Sequence, residues 1–134
     1  MADSKSFECS VVTPERVVIE CSARFVALPA HDGEVGVLAH RAAMLTRLDV
    51  GHLRIEQADG ESHSFFIDGG FAEMATNQLT ILTESAVEAA ELTRDGAKAL
   101  LAEARAIEGY DEISTAARAR GERKARAQLR MLSR

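Results

Sequence analysis

The hydrophobic period of the chain changes once, near Glu91, and this change limits the fold more than any other feature. Before it, short apolar and β-branched runs alternate with turn signals such as Asp59-Gly60, which is typical of an all-β sandwich or barrel. After it, apolar residues recur at the spacing of one helix face. The sequence therefore predicts a mainly β protein with an α appendage: an N-terminal β-sandwich over residues 1–88, then a C-terminal antiparallel two-helix hairpin over residues 89–134.

Turn and breaker residues divide the β region into short strands. Pro14 breaks the first apolar run, Pro29 is expected to end another strand, and Gly69-Gly70 is expected to form a turn. Strand alternation and β-branched enrichment predict which apolar side chains mostly face the interior. These are Phe25, Val37, Leu53, Ile55, Phe66, Ile67 and Ile81.

The helical region is expected to start at Thr93, a residue type that favours the N-cap, and its first helix is expected to stop at Gly109. A second helix is predicted from about Glu112 to Leu132. Its narrow stripe of small residues favours close packing. Alanine buries little apolar area, however, and each Å² of buried apolar surface contributes only about 25 cal/mol of stability. The hairpin is therefore expected to detach from the sandwich at modest cost. The stripe consists of Ile113, Ala117, Gly121, Ala125, Leu129 and Leu132.

Charge is unevenly distributed along the chain. The 134 residues carry a net charge of −5, which argues against a nucleic-acid-binding protein. From Asp111 to Arg134 there are seven basic and three acidic residues, a net charge of +4, whereas the preceding part has nine and eighteen, a net charge of −9. A basic end on an acidic body predicts a tail that meets an acidic surface, although a solvated helix without a partner would show the same pattern. The basic residues singled out are Arg118, Arg123, Arg126 and Arg130.

No catalytic, cofactor or metal site is indicated. Cys9 and Cys21 are too few for a disulfide framework and are expected to be small buried residues in a reducing cytosol. The histidines lack the close spacing of metal ligands, and the glycine-rich turns lack the Lys-Ser/Thr pair of a phosphate loop. No apolar run approaches the roughly 20 residues of a membrane span, and no signal-peptide core is present. We expect a soluble cytoplasmic protein, which still allows a peripheral part of a membrane assembly.

The stretch His31–Leu45, HDGEVGVLAHRAAML, has the most functional potential. His31, Asp32, Glu34 and His40 are residue types that serve in acid–base catalysis, but beside a glycine-rich turn they also suit a surface loop bound by another protein. Two alternatives follow from the residues. One is a stand-alone β-sandwich binding module with a basic helical tail; the other is a small enzyme that uses Asp32, Glu34 and a histidine.

Two motifs in this order resemble the epsilon subunit of F-type ATP synthases. Residues 33–48, GEVGVLAHRAAMLTRL, resemble its glycine-rich loop, whose usual pattern is Gly-Glu-(apolar)-Gly-(apolar)-x-Pro-Gly-His-Ala-Pro-Leu-Leu-Thr. Residues 65–86, FFIDGGFAEMATNQLTILTESA, resemble its second landmark, a strand followed by a Gly-Gly turn and a closing hairpin. The likeness runs from about Phe7 onward and includes the order of sandwich and helical hairpin.

The resemblance implies a non-catalytic rotor subunit of the central stalk, which couples ion flow through the c-ring to ATP synthesis. It implies that the sandwich attaches to the gamma subunit and the c-ring, and that the helical hairpin transiently meets the alpha and beta subunits and restrains ATP hydrolysis. The arginines of the last helix would suit an acidic stretch of beta. Such a subunit is peripheral to the cytoplasmic face of the bacterial inner membrane and does not insert into it. The rotor-facing loop is matched here by His31, Asp32, Gly33, Glu34 and Arg41.

The sequence departs from the family pattern at two places. The loop's Pro-Gly-His is replaced by Ala39-His40-Arg41, so the loop is expected to keep its course but lose proline stiffness, and the contacts of that histidine fall to Arg41. Some members of the family bind ATP on the hairpin through Ile/Leu-Asp-x-x-Arg-Ala. Here Thr93 stands in place of the Asp and Gly96 in place of the Arg, so we expect no ATP sensing by that route.

Overall fold

The computed structural model describes residues 5–133 and divides the chain into two compact units, which separate between Glu88 and Ala89. The first unit contains β1 (Phe7–Val12), β2 (Val17–Ala30), β3 (Gly33–Leu38), β4 (Met44–Gln57), β5 (Ser62–Ala75), β6 (Gln78–Leu82) and β7 (Ala86–Glu88). The second unit contains a 3-10 turn (Ala89–Glu91), α1 (Arg94–Arg105) and α2 (Glu112–Leu132).

The strands of the first unit form one sheet that closes on itself. Their order is β1-β6-β5-β4-β2-β3, β7 pairs with β5, and β1 also pairs with β2. The pairings are antiparallel except that of β1 with β6. Alternate side chains share one face of a strand, so closure of the sheet encloses an apolar interior. The predicted fold class is confirmed. The fully buried core includes Val11, Val26, Leu28, Val37, Leu53, Ile55, Ile67, Met74, Leu79 and Ile81.

The expected strand end at Pro29 is wrong, because β2 runs without a break from Val17 to Ala30. Its first half pairs with β1 and its second half with β3 and β4. Pro29 lies where the β2–β4 register is interrupted between Ala27 and Ala30. The missing N–H of the proline therefore removes no hydrogen bond from that ladder, which is the usual condition for a proline inside a strand.

The expected turn at Gly69-Gly70 is also wrong, because both glycines lie inside β5. They have φ values of 74° and 119°, a region that favours glycine. A Cβ on Gly70 would overlap the carbonyl oxygen of Leu82, so the backbones approach too closely for any side chain. The glycines thus bend a continuous strand, which pairs with β7 before them and with β6 after them.

The predicted interior holds except at Phe25 and Phe66. The β2–β4 register shifts between Ala23 and Phe25, so Val26 takes the interior position and Phe25 is left half-buried over Gly36. Phe66 is buried, but it alternates with Phe65 and Ile67, which belong to the core, and so faces the opposite side of β5. The other five predicted residues are buried in the core: Val37, Leu53, Ile55, Ile67 and Ile81.

In the second unit, both helices begin as predicted. The Thr93 side chain accepts a 3.0 Å hydrogen bond from the Gly96 N–H at the start of α1, and Asp111 accepts one of 3.2 Å from the Ser114 N–H at the start of α2. Because these caps satisfy otherwise unpaired N–H groups, they fix where each helix starts. Gly109 does not end α1, which finishes at Arg105; instead it has a φ of 111° within the connection.

The predicted apolar stripe of α2 is only partly correct. Ile113 is 82% exposed and Ala117 is exposed as well. Gly121 and Ala125 do lie in the packed part of the helix, and a Cβ on Gly121 would meet the Cβ of Ala104 at 2.7 Å. The narrow stripe therefore packs through its small central residues, while its first turns face solvent. Neither helix has the length and apolar character that crossing a membrane requires.

Candidate functional site

The hairpin between β2 and β3 forms an exposed tip. His31 and Asp32 make its turn, and Gly33 follows with a φ of 126°, a value that favours glycine. The backbone N–H of His31 donates a 2.9 Å hydrogen bond to the carbonyl of Arg47, which attaches the turn to β4. His31, Asp32, Gly33 and Glu34 are all exposed, so the tip presents two carboxylates on a fixed backbone.

Glu34 contacts a basic side chain across the sheet. Its Oε1 lies 3.3 Å from an Nη of Arg54, with the two side chains 57% and 48% exposed. An ion pair this open to water contributes only about 0–1 kcal/mol. A partner can therefore replace the Arg54 contact at little cost, and Glu34 remains available for binding.

Arg41 lies at the other end of β3 from the tip. Its Nη1 donates a 3.1 Å hydrogen bond to the carbonyl of Gly36, so the side chain folds back toward the middle of the strand. The structure thus brings His31–Glu34 together at one end of β3 and places Arg41 in the connection that follows it.

Asn77 holds this connection where the family pattern has proline and glycine. The N–H of His40, a residue with a φ of 62°, donates a 2.7 Å hydrogen bond to Asn77 Oδ1, while Asn77 Nδ2 donates one of 2.9 Å to the Ser6 carbonyl. Asn77 itself has a φ of 58°, a conformation that asparagine tolerates better than most residues. Asn77 and His40 lie 37 residues apart, so nothing in their sequence spacing indicates this contact.

An apolar patch on the sandwich was not predicted. Phe71 and Leu82 lie directly opposite each other on β5 and β6 and are each 52% exposed, and Leu45 on β4 is 71% exposed. Leu45 pairs with Glu73, two residues from Phe71, and is therefore a diagonal neighbour of Phe71. A groove of about 410 Å³ adjoins Phe71 and Leu82 and is also lined by Val12 and Pro14. Exposed apolar clusters of this kind mark interaction surfaces.

The four arginines singled out on α2 do not act alike. Arg118 donates hydrogen bonds to the Ile107 carbonyl at 2.6 Å and to the Gly109 carbonyl at 3.1 Å, and so holds the connection between the helices. Arg123, Arg126 and Arg130 are exposed and lie within about 60° around the helix axis at 3.6 residues per turn. We call these three the basic face; Arg126 also lies 3.5 Å from Glu122, one turn before it.

The geometry gives no support to the small-enzyme alternative. That hypothesis requires a carboxylate that a pocket shields from water, whereas Asp32 and Glu34 stand exposed at a hairpin tip. Within residues 5–133, no group of three or more His, Cys, Asp or Glu side chains is placed to hold a metal ion.

Comparison with known proteins gives the family. The sequence model of one protein family, the ATP synthase delta/epsilon chain beta-sandwich domain, matches residues 6–89. The ATP synthase epsilon chain of Rhodopirellula baltica is 40% identical over 93% of this chain and 97% of its own. This chain belongs to the ATP synthase epsilon chain family. The epsilon chain of Sinorhizobium fredii is 41% identical, over 79% of this chain and 78% of its own. As an epsilon chain, the protein is a subunit of an ATP synthase and not an enzyme by itself.

Solved structures share the fold. A chain in the cryo-EM structure of the Euglena gracilis mitochondrial ATP synthase, OSCP/F1/c-ring, matches with a TM-score of 0.75 and 25% identity, over 99% of this chain and 82% of that one. A chain in the Tetrahymena thermophila mitochondrial ATP synthase central stalk/c-ring structure matches with a TM-score of 0.72 and 18% identity, over 92% and 93%. The resemblance drawn from the two sequence motifs is therefore confirmed.

Proposed function

We propose that this epsilon chain is a central-stalk rotor subunit that helps to couple ion flow through the c-ring to ATP synthesis in the catalytic head. The observation that carries the proposal is the 40% identity to an epsilon chain over 93% of the sequence. It is supported by the solved assemblies with similar chains, which comprise F1, the central stalk and the c-ring. The chain itself would act at the cytoplasmic face of the bacterial inner membrane, as a peripheral component.

The sandwich unit, residues 1–88, is proposed to attach the subunit to the rotor. The exposed tip His31–Glu34, together with Arg41, would meet the polar surfaces of the gamma subunit and the c-ring. Its carboxylates stand on a backbone fixed by the Arg47 carbonyl, so little entropy is lost on binding. The apolar patch of Leu45, Phe71 and Leu82 is suited to a permanent contact within the rotor, since burying apolar area stabilises such contacts.

The helical unit, residues 89–134, is proposed to regulate ATP hydrolysis. The basic face of Arg123, Arg126 and Arg130 would be attracted to an acidic surface of the alpha and beta subunits, in transient contact. The remaining arginine of the predicted set, Arg118, would contribute indirectly because it holds the connection between the helices. Neither role requires a bound cofactor.

Reconstitution of the full chain with its own gamma subunit and c-ring tests rotor attachment. We expect the wild-type chain to co-elute with gamma, and the double variant Asp32→Asn/Glu34→Gln to be retained less well by the gamma–c-ring complex. Glu61→Gln is the control for loss of a carboxylate elsewhere on the sandwich, because Glu61 is exposed in the β4–β5 turn, which follows the pairing of Gln57 with Ala23 in the middle of β2 and not the end of β2 that leads to the tip. A wild-type chain that fails to co-elute with gamma would overturn the proposed function, and equal retention of all variants would exclude the tip from the interface.

A further inference from the structure

Cys9 and Cys21 lie directly opposite each other on neighbouring antiparallel strands. Cys9 of β1 pairs with Cys21 of β2, in a register that continues without a shift from Phe7 to Val11. Directly opposed residues in antiparallel strands have Cα atoms about 4.5 or 5.5 Å apart, according to their place in the ladder. A disulfide requires a Cα separation of about 4.4–6.8 Å. The backbone therefore already holds these two residues at a separation that a disulfide can span.

The two side chains project from paired positions to the same face of the sheet and have different surroundings. Their mutual hydrogen bond and burial raise the pKa of the Cys9 thiol, which is 1% exposed. The same hydrogen bond lowers the pKa of the half-buried Cys21 thiol, against the opposing effects of burial and of the Glu8 and Asp59 carboxylates. The thiolate is the nucleophile in disulfide exchange, so Cys21 is the side chain that reacts with an external oxidant and Cys9 the one that is protected.

We propose that Cys9 and Cys21 form a redox modification site, at which a low-molecular-weight disulfide converts the two thiols into a cross-strand disulfide. The Cys21 thiolate attacks one sulfur of the oxidant, which forms a mixed disulfide and releases the other half as a thiolate. The Cys9 thiol then loses its proton and attacks the Cys21 sulfur, which displaces the second half. The protein loses two electrons and two protons in total, and the oxidant is reduced to two thiols.

The position of this pair determines what the bond would do. β1 closes the sheet, because it pairs with β2 on one side and with β6 on the other. A Cys9–Cys21 bond would fix β1 to β2 at this closure and constrain the unfolded chain, which stabilises the folded state. The chain has two cysteines, so no alternative pairing within one molecule competes. The site is independent of the tip and of the basic face, and it adds a covalent lock to the sandwich unit.

Oxidation of the full chain tests the site. The chain is treated with oxidised glutathione, quenched in acid and digested with trypsin. Arg16 separates the cysteines, so an internal disulfide joins the peptides of residues 6–16 and 17–24. We expect this linked pair on a monomeric chain, its loss on reduction, and a higher midpoint of thermal unfolding for the oxidised form. Two free thiols, a mixed disulfide that persists on Cys21, or disulfide-linked dimers alone would each overturn the proposal.

Alanine variants test the order of the two steps. Cys9→Ala is expected to stop at the mixed disulfide on Cys21, because no second thiol is present. Cys21→Ala is expected to react with the oxidant about tenfold more slowly or worse, because the remaining thiol is buried. Equal reaction rates of Cys21→Ala and the wild type would overturn the assignment of Cys21 as the attacking residue. The wild-type peptide map decides the proposal itself, whether or not both variants fold.

Discussion

Gly121 of α2 packs directly against Ala104 of α1, where a Cβ on the glycine would lie 2.7 Å from the Ala104 Cβ. We therefore expect Gly121→Val to destabilise the helical unit by about 1–3 kcal/mol through overpacking. Valine has a higher helix propensity than glycine, but this gain is smaller than the cost of the overpacking. Ala119→Val is the matched control, since Ala119 is exposed on the same helix and loses only helix propensity. Thermal melts followed by far-UV circular dichroism compare the two; equal midpoints would mean that the helices do not pack through Gly121.

Ile55 tests the core of the sandwich unit. It is 1% exposed, and Ile55→Ala should lower the free energy of unfolding by about 2–5 kcal/mol, since the lost burial leaves a cavity. Ile113→Ala removes the same atoms from a side chain that is 82% exposed. It should change the free energy of unfolding by less than about 0.5 kcal/mol. Urea denaturation provides both values. A loss under about half a kcal/mol at Ile55 would contradict its place in the core.

The periodic parts of this fold could be predicted from sequence, and the places where tertiary contacts override local signals could not. α2 was predicted with the observed bounds, because capping and helical spacing act within a few residues. The local chemistry of Pro29 favours the end of a strand, and that of Gly69-Gly70 favours a turn. In the folded unit, an interrupted ladder accommodates the proline, and a close approach to Leu82 requires the glycine at position 70.

The candidate site, too, could be predicted from sequence only in its local features. The tip His31–Glu34 was found because a glycine-rich turn with carboxylates is visible in a short window of sequence. The Asn77 contacts join residues that are 37 and 71 positions apart, so no local pattern reveals them. Helical spacing grouped Arg118 with the other arginines, but only the fold shows that its guanidinium is used by two carbonyls of the connection.

The connection between the helices depends on Arg118. Arg118→Ala removes the donor to the Ile107 and Gly109 carbonyls and should destabilise the helical unit by about 1–2 kcal/mol, since hydrogen bonds from a charged donor are the stronger kind. Arg123→Ala, at an exposed site five residues later on the same helix, is the control. The melting of helical circular dichroism measures both variants. An Arg118→Ala chain that melts with the wild type would show that the connection holds without it.

The residues at the start of α1 lead us to expect that ATP does not bind there. The Thr93 hydroxyl is used to cap the helix through the Gly96 N–H, and neither residue supplies the charged group of the family's ATP motif. Isothermal titration of the full chain with ATP should give no stoichiometric heat. An epsilon chain that carries the complete motif serves as the positive control. A tight, saturable heat from the present chain would contradict the prediction and point to a different site.

The basic face provides the sharpest test of regulation. Replacement of Arg123, Arg126 and Arg130 by glutamine keeps helix-forming side chains but removes three exposed charges. We expect the variant to fold like the wild type, because exposed charges contribute little stability, and to raise ATP hydrolysis by the reconstituted complex. Attraction between exposed charges weakens as the Debye length falls from about 30 Å at 0.01 M salt to about 8 Å at 0.15 M. The difference between variant and wild type should therefore be largest at low salt.

A second triple variant separates this effect from a general loss of charge. Arg94, Lys98 and Arg105 are exposed basic residues on α1, and their replacement by glutamine changes the net charge by the same amount. If the basic face is a salt-sensitive brake, only the α2 variant raises hydrolysis. If both variants raise it equally, the brake depends on net charge and not on this face. If hydrolysis is unchanged by the α2 variant at every salt concentration, the three arginines are a solvated surface and the regulatory proposal is wrong.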